Sequence, residues 1–199
     1  MIADTPTMYS YCLFVETGKE LLLKAGLEDI LPSSTVLVPS YSYRMYIGQG
    51  KFIDQKRPLF PGYLFLYLND PLDVSIVWEA RLLGVIRFLK SNGSYELEGS
   101  DLAFAELIYS SQGELGATPV VSDGILFKFK DPVFSRAEAK IVKVDKRQNN
   151  MLVEFKLDGK TSKVWMKYTL AEPAEPKTGE EIIREVESVD DPVWELTTF

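Results

Sequence analysis

The sequence predicts an α+β protein: an antiparallel sheet with helices on one side, followed by a small β-barrel. Three observations carry this. Strand-like and helix-like stretches succeed one another irregularly through about residue 112, the order of a mixed, mostly antiparallel sheet. One segment, Tyr63-Leu64-Phe65-Leu66-Tyr67-Leu68, is apolar on both of its alternating faces, so it is a central strand covered on each side. After Gly113-Glu114-Leu115-Gly116 the pattern changes to short, closely spaced strand-like runs, the mark of a small barrel.

The elements come in this order. Residues 8–16 are rich in strand formers and short enough for a strand. Thr17-Gly18-Lys19-Glu20 leads into a short helix around Leu21-Leu22-Leu23, with Thr17 as candidate cap and Glu20 at capping-box spacing. Ser34 to Pro39 reads as a second strand, and Tyr43–Ile47 with Phe52–Lys56 as a hairpin across Gly48-Gln49-Gly50. Pro58-Leu59-Phe60-Pro61-Gly62 introduces the doubly apolar strand, whose Leu face suits helices and whose aromatic face suits core or a docking surface. Asp70-Pro71 opens a helix to about Arg81, with Pro at an early helical position. Val85–Lys90 is a strand, Asn92-Gly93 a turn, and Ser100 with Ala103, Leu107 and Ile108 a helix ending before Gly113. In the barrel, Lys140–Val144, Leu152–Leu157 and Lys163–Met166 alternate, with a tight turn at Asp158-Gly159 and a looser one at 147–150.

Composition removes whole classes of function. With 46% hydrophobic and 26% charged residues the chain is ordinary for a globular protein. No apolar run approaches the ~18 residues of a membrane span, and the first residues lack the pattern of a secretory signal. The single cysteine, Cys12, reads as a buried small hydrophobe in a reducing cytosol. The absence of histidine removes Ser-His-Asp triads, Cys-His pairs and histidine metal sites together. Asp190-Asp191 are adjacent and do not face one site, and Gly48-Gln49-Gly50-Lys51 lacks phosphate-loop spacing. The expectation is a non-enzyme with no cofactor and no metal.

The net charge of −7 conceals a division: −5 over residues 1–118, +4 over 119–172 and −6 over 173–199. A basic middle makes nucleic acid or an acidic protein surface a fitting partner for that segment alone.

Thr17-Gly18-Lys19-Glu20 after an aromatic strand, then Pro58-Leu59-Phe60-Pro61-Gly62-Tyr63-Leu64-Phe65, then Gly84-Val85-Ile86-Arg87-Phe88-Leu89, resemble the N-terminal NGN domain of NusG-type transcription factors. Asp131-Pro132 and the run from Ala139 to Arg147 resemble their C-terminal KOW barrel. Within the family, the Thr-Gly-Lys-Glu run and the long connection before KOW are most similar to the specialised LoaP-type antiterminators. The chain departs from the family at Ser10, where Trp is common, at Ser75-Ile76-Val77, and at Asp131 and Ala139, where Gly is usual.

The resemblance implies a ferredoxin-like NGN domain over 8–112, a linker over 113–118 and an SH3-like KOW barrel over 119–172; composition adds an acidic tail over 173–199. It implies a non-enzymatic, monomeric cytoplasmic elongation and antitermination factor. The NGN domain would dock on the clamp helices of RNA polymerase and suppress pausing or termination. Carried over by motif position, the docking residues are Tyr11, Phe60, Tyr63 and Phe65. Arg44, Lys51, Lys56 and Arg57 are candidates for upstream DNA. Lys128, Lys130, Arg136, Lys140, Lys143, Lys146 and Arg147 form a basic set on the barrel, for an RNA hairpin read by shape and phosphate. A ribosomal or termination-factor protein is the other barrel partner the family offers. A KOW-type RNA-binding module acting without polymerase is the alternative. Val142, Val144, Val153, Phe155 and Val164 favour strands at their own level, so the barrel is expected to be stable, without a switch to helix.

Overall fold

The computed structural model describes residues 8–79 and 82–171, leaving aside the side chains of residues 44–46 and 52. The acidic tail and the expected helix end at Arg81 lie outside the described residues.

Strand β1 (Tyr9–Val15) runs into helix α1 (Glu20–Ile30), then β2 (Thr35–Leu37), the hairpin β3 (Ser40–Gly48) and β4 (Lys51–Pro58), and β5 (Tyr63–Leu68). Helix α2 (Val74–Glu79), β6 (Val85–Phe88) and α3 (Gly99–Ser110) come next. A four-stranded antiparallel sheet has the order β2-β5-β1-β6, so β5 and β1 are central. All six residues of β5 are buried, as its two apolar faces require. The leucine face, Leu64, Leu66 and Leu68, packs with Leu23 and Leu27 of α1 and Val77 of α2. The aromatic face, Phe65 and Tyr67, packs with Phe104, Ala105 and Ile108 of α3.

Helices therefore lie on both sides of this sheet, not on one. The reason is the second apolar face, which must also be removed from water. Helix α3 is itself covered on more than one side, since the consecutive residues Ala103, Phe104 and Ala105 are all buried.

Two local expectations are corrected. Thr17 does not cap α1; the N-cap is Lys19, whose side chain makes no capping hydrogen bond. Glu20 is instead buried, its carboxylate accepting the Gly18 N–H at 2.7 Å and the Gly62 N–H at 2.8 Å. Pro71 is not an early helical residue either, because α2 starts at Val74, where Asp73 accepts the Ser75 N–H at 3.0 Å. A short acidic side chain satisfying a first-turn N–H wins over the proline signal.

The stretch 113–118 is structured: β7 (Glu114–Leu115) pairs parallel with β3, giving a second sheet β4-β3-β7. Then come β8 (Thr118–Ser122), β9 (Phe127–Phe129), the single turn α4 (Val133–Arg136), β10 (Lys140–Asp145), β11 (Asn150–Leu157) and β12 (Lys160–Leu170). They form one five-stranded, nearly closed sheet of order β10-β11-β12-β8-β9, in which β12 and β8 are parallel. Residues 140–145, 150–157 and 160–170 are strands, as their β-branched residues predict. Asp158 and Gly159 both have positive φ, +52° and +70°, the geometry of a two-residue hairpin turn. Met151, Val153, Phe155, Val164 and Met166 fill the barrel core.

Candidate docking face

The turn that opens β5 is built from three linked features. Pro61 and Gly62 occupy its centre, Gly62 has φ +81°, and the Tyr63 N–H returns to the Phe60 carbonyl at 3.3 Å, a type II arrangement. Only glycine fits there. A Cβ on Gly62 would lie 2.8 Å from the Val15 carbonyl oxygen, the neighbour of the Val15 N–H that binds the Gly62 carbonyl at 2.7 Å. Glu20 holds the Gly62 N–H from the other side, so the Thr-Gly-Lys-Glu segment and the Pro-Gly turn are one unit.

The four docking candidates are not brought to one surface. Register pairs Tyr11 with Leu66 and Leu13 with Leu64, which puts Tyr11 on the leucine face. Its hydroxyl accepts the Leu72 N–H at 2.9 Å, and burial raises its phenol pKa. Phe60, Tyr63 and Phe65 do share the opposite face, joined by Cys12 of β1, whose thiol pKa burial pushes well up.

None of the three is open to solvent. Phe60 is 4% exposed and stands edge-on to Phe104, with ring centroids 5.5 Å apart. Phe104 also contacts Phe65 at 5.7 Å and Phe155 of the barrel at 5.9 Å, so one ring of α3 joins the sheet to the barrel.

The β11–β12 hairpin covers the end of the face. The Tyr63 hydroxyl donates to the Asp158 carboxylate at 3.0 Å, and Arg87 of β6 pairs with the same carboxylate. Ser162 donates to the Leu59 carbonyl at 2.8 Å. The Lys160 ammonium lies 4.3 Å from the Phe14 ring centroid and 4.9 Å from that of Tyr63, a cation–π arrangement. On α3, Asp101 accepts the Asp158 backbone N–H, yet its pKa is raised because burial outweighs that bond. Glu106 of α3 pairs with Arg136 of α4 at 2.9 Å. Burial first, and then the Asp158 carboxylate, push the Tyr63 phenol far above its ordinary value.

Phe14, Arg87, Asp101, Asp158 and Lys160 thus belong to this face although sequence reading singled out none of them for it. Asp158 was legible only as a turn residue. Its charge carries a second role that no local pattern announces.

The basic candidates separate into groups. Lys51, Lys56 and Arg57 lie exposed on β4, but Lys56 pairs with Glu114 and Arg57 stacks 4.2 Å from the Tyr43 ring centroid. The Lys56 ion pair with Glu114, reinforced by Ser42, holds that carboxyl below its usual range. The Arg44 side chain falls outside the described residues. On the barrel, Lys128, Lys130, Lys140, Lys143, Lys146 and Arg147 are exposed, whereas Arg136 is engaged by Glu106. Lys143 and Lys146 line a cleft with Ile125, Leu126 and Phe127, where β10 approaches the β8–β9 turn.

The class of molecule is therefore an α+β chain whose four-stranded antiparallel sheet carries α3 on its aromatic face and whose nearly closed barrel is seated against α3 and the end of that face. No family model and no curated protein matches it. Among the solved structures similar to it is NusG of Thermotoga maritima, from a structure described as domain interaction in that protein, at 17% identity and a TM-score of 0.49. The match covers 81% of this chain and 94% of that one. A likeness of that degree assigns neither family nor function. No helix among the described residues is long and apolar enough to cross a membrane.

Proposed function

We propose that the chain is a NusG-type transcription elongation and antitermination factor, with the LoaP-type specialisation that its Thr-Gly-Lys-Glu segment resembles. In this reading an NGN unit over 8–112 and a KOW barrel over 119–172 act without enzymatic turnover, in the cytoplasm. The NGN unit docks on RNA polymerase through the Phe60–Phe65 face, and the barrel recruits RNA or a protein.

The observation that supports it most is the Leu59-Phe60-Pro61-Gly62-Tyr63 turn. It is pinned by Glu20 and stands at the head of a central strand whose aromatic face ends under a separate barrel. Aromatic side chains concentrated at one turn are where a protein partner gains most of its binding energy. Because the barrel hairpin covers the Tyr63 end of that face while α3 covers Phe60 and Phe65, docking at the Tyr63 end requires the barrel to leave it. The barrel hairpin meets the sheet through polar contacts at Asp158, Lys160 and Ser162, the kind of polar junction between units that suits a contact that opens.

The test is retention of bacterial core RNA polymerase by immobilised full-length protein, comparing wild type with Asp158→Asn plus Ser162→Ala. Both substitutions are at the barrel hairpin and leave the aromatic face intact. Greater retention by the double variant is expected, and adding Phe60→Ala should abolish it, with circular dichroism to verify folding. No retention by wild type or double variant, both folded, overturns the reading and favours the RNA-binding module.

A further inference from the structure

The barrel carries an apolar seam that no described element covers. Ile125 and Leu126, in the turn between β8 and β9, are 87% and 59% exposed, and Val142 on β10 is 51% exposed. These three line one cleft with Phe127, Lys143 and Lys146. Scattered exposed apolar side chains are normal, whereas a grouped set marks an interaction surface.

The turn that presents them is fixed. The Asp123 carboxylate accepts the N–H groups of Ile125 at 2.9 Å and Leu126 at 2.7 Å, and these bonds hold it below its usual pKa. Lys146 donates to the Gly124 carbonyl at 2.9 Å and lies 5.4 Å from the Phe127 ring centroid. The nearby carboxylates are occupied: Asp123 by those two N–H groups and near Lys128, Asp145 by the N–H groups of Arg147 and Gln148. Lys143 and Lys146 therefore give the seam a basic rim.

The course of the chain indicates what reaches it. Strand β12 runs parallel to β8, with Leu170 opposite Val120 and the Ala171 N–H bonded to the Val120 carbonyl at 2.8 Å. The chain leaves the barrel heading along β8 toward Ser122 and the turn that holds Ile125. Two more extended residues span about 7 Å, the same advance that separates Val120 from Ser122. The C-terminal segment 173–199 has a net charge of −6 and carries Ile182, Val186, Val189, Val193 and Trp194 among its acids. An acidic segment with regularly spaced apolar residues complements an apolar seam rimmed by lysines. Being tethered beside the seam, it acts at an effective concentration in the millimolar range, so a weak contact suffices.

We propose that residues 173–199 of this chain fold back onto the Ile125–Leu126–Val142 seam of the barrel, with their carboxylates against Lys143 and Lys146. This holds whether the barrel serves polymerase, RNA or neither.

The experiment uses the full-length chain with a nitroxide attached at Ser188→Cys; Cys12 is fully buried and is not labelled. Paramagnetic broadening of amide signals is read across the barrel. The expected result is broadening of residues 123–127 and 142–146, falling at least threefold in Ile125→Ser plus Leu126→Ser and in 1 M salt. Those two side chains are exposed, so their replacement leaves the fold intact. The proposal is overturned by no broadening of the seam, by broadening confined to Lys51 and Arg57 on β4, or by broadening that survives Ile125→Ser plus Leu126→Ser. Broadening seen only between separate labelled and unlabelled molecules identifies a second copy as the occupant and overturns it as well.

Discussion

The Tyr63 hydroxyl donates its hydrogen to the Asp158 carboxylate at 3.0 Å, joining the first residue of the central strand to a barrel turn 95 positions later. A hydrogen bond to a charged acceptor contributes more than a neutral one, and here it is partly shielded by the hairpin above it. Asp158→Asn keeps a residue suited to positive φ and removes the charge. It should lower stability toward urea by about 1–2 kcal/mol, measured as a shift in midpoint at constant slope. An unchanged midpoint would show that water replaces the bond at no cost.

The same phenol makes packing sensitive to alkali. Tyr63 holds its proton more tightly when packed, because burial and the neighbouring carboxylate both disfavour phenolate. Its contribution is therefore fully present below the unfolded value of about 10 and is lost as pH rises from there toward the raised folded value. Above about pH 10 each further unit should favour the unpacked state by up to tenfold from this group. Urea titrations of wild type and Tyr63→Phe at a series of alkaline pH values isolate it. The wild type should show the steeper fall, and parallel curves would assign the sensitivity elsewhere.

Glu20 is the larger local determinant. It is buried and accepts two backbone N–H groups, from exposed Gly18 and buried Gly62, so removal strands the Gly62 donor. Glu20→Ala should cost about 2–4 kcal/mol, whereas Glu20→Gln keeps one acceptor oxygen and should cost less. Equal losses for the two variants would mean that packing, not the hydrogen bonds, sets the effect.

Two glycines separate strain from clash. Gly159 has φ +70° with open space around its Cβ position, so Gly159→Ala should cost only the ~1–2 kcal/mol of a left-handed alanine. Gly62 has φ +81° and also the Val15 carbonyl 2.8 Å from where a Cβ would stand. Gly62→Ala should therefore be clearly the worse of the two in thermal unfolding, and similar melting shifts would contradict the crowding.

Much of the fold is legible locally because period and turn chemistry are local. Tyr63–Leu68 announces a strand apolar on both faces, Asn92-Gly93 and Asp158-Gly159 announce tight turns, and the β-branched runs after residue 139 announce barrel strands. The candidate site was legible only in part. Phe60, Tyr63 and Phe65 were found by motif and do share a face, but Tyr11 does not join them. Which face a β1 residue occupies depends on its register with β5, and no stretch of β1 encodes that register by itself.

The sequence alone determined that this chain is a mixed α+β protein with a barrel, lacks histidine chemistry and concentrates positive charge in its middle. Those properties reside in composition, periodicity and single turns, which need no distant partner. Tertiary structure alone decided that α3 lies opposite α1, that Glu20 bonds Gly62 rather than capping its own helix, and that Asp158 meets Tyr63 and Arg87. Each of these joins residues far apart in the chain. The second apolar face of β5 requires a cover, and which element supplies it is settled only when helix, sheet and barrel compete to bury the same aromatic rings.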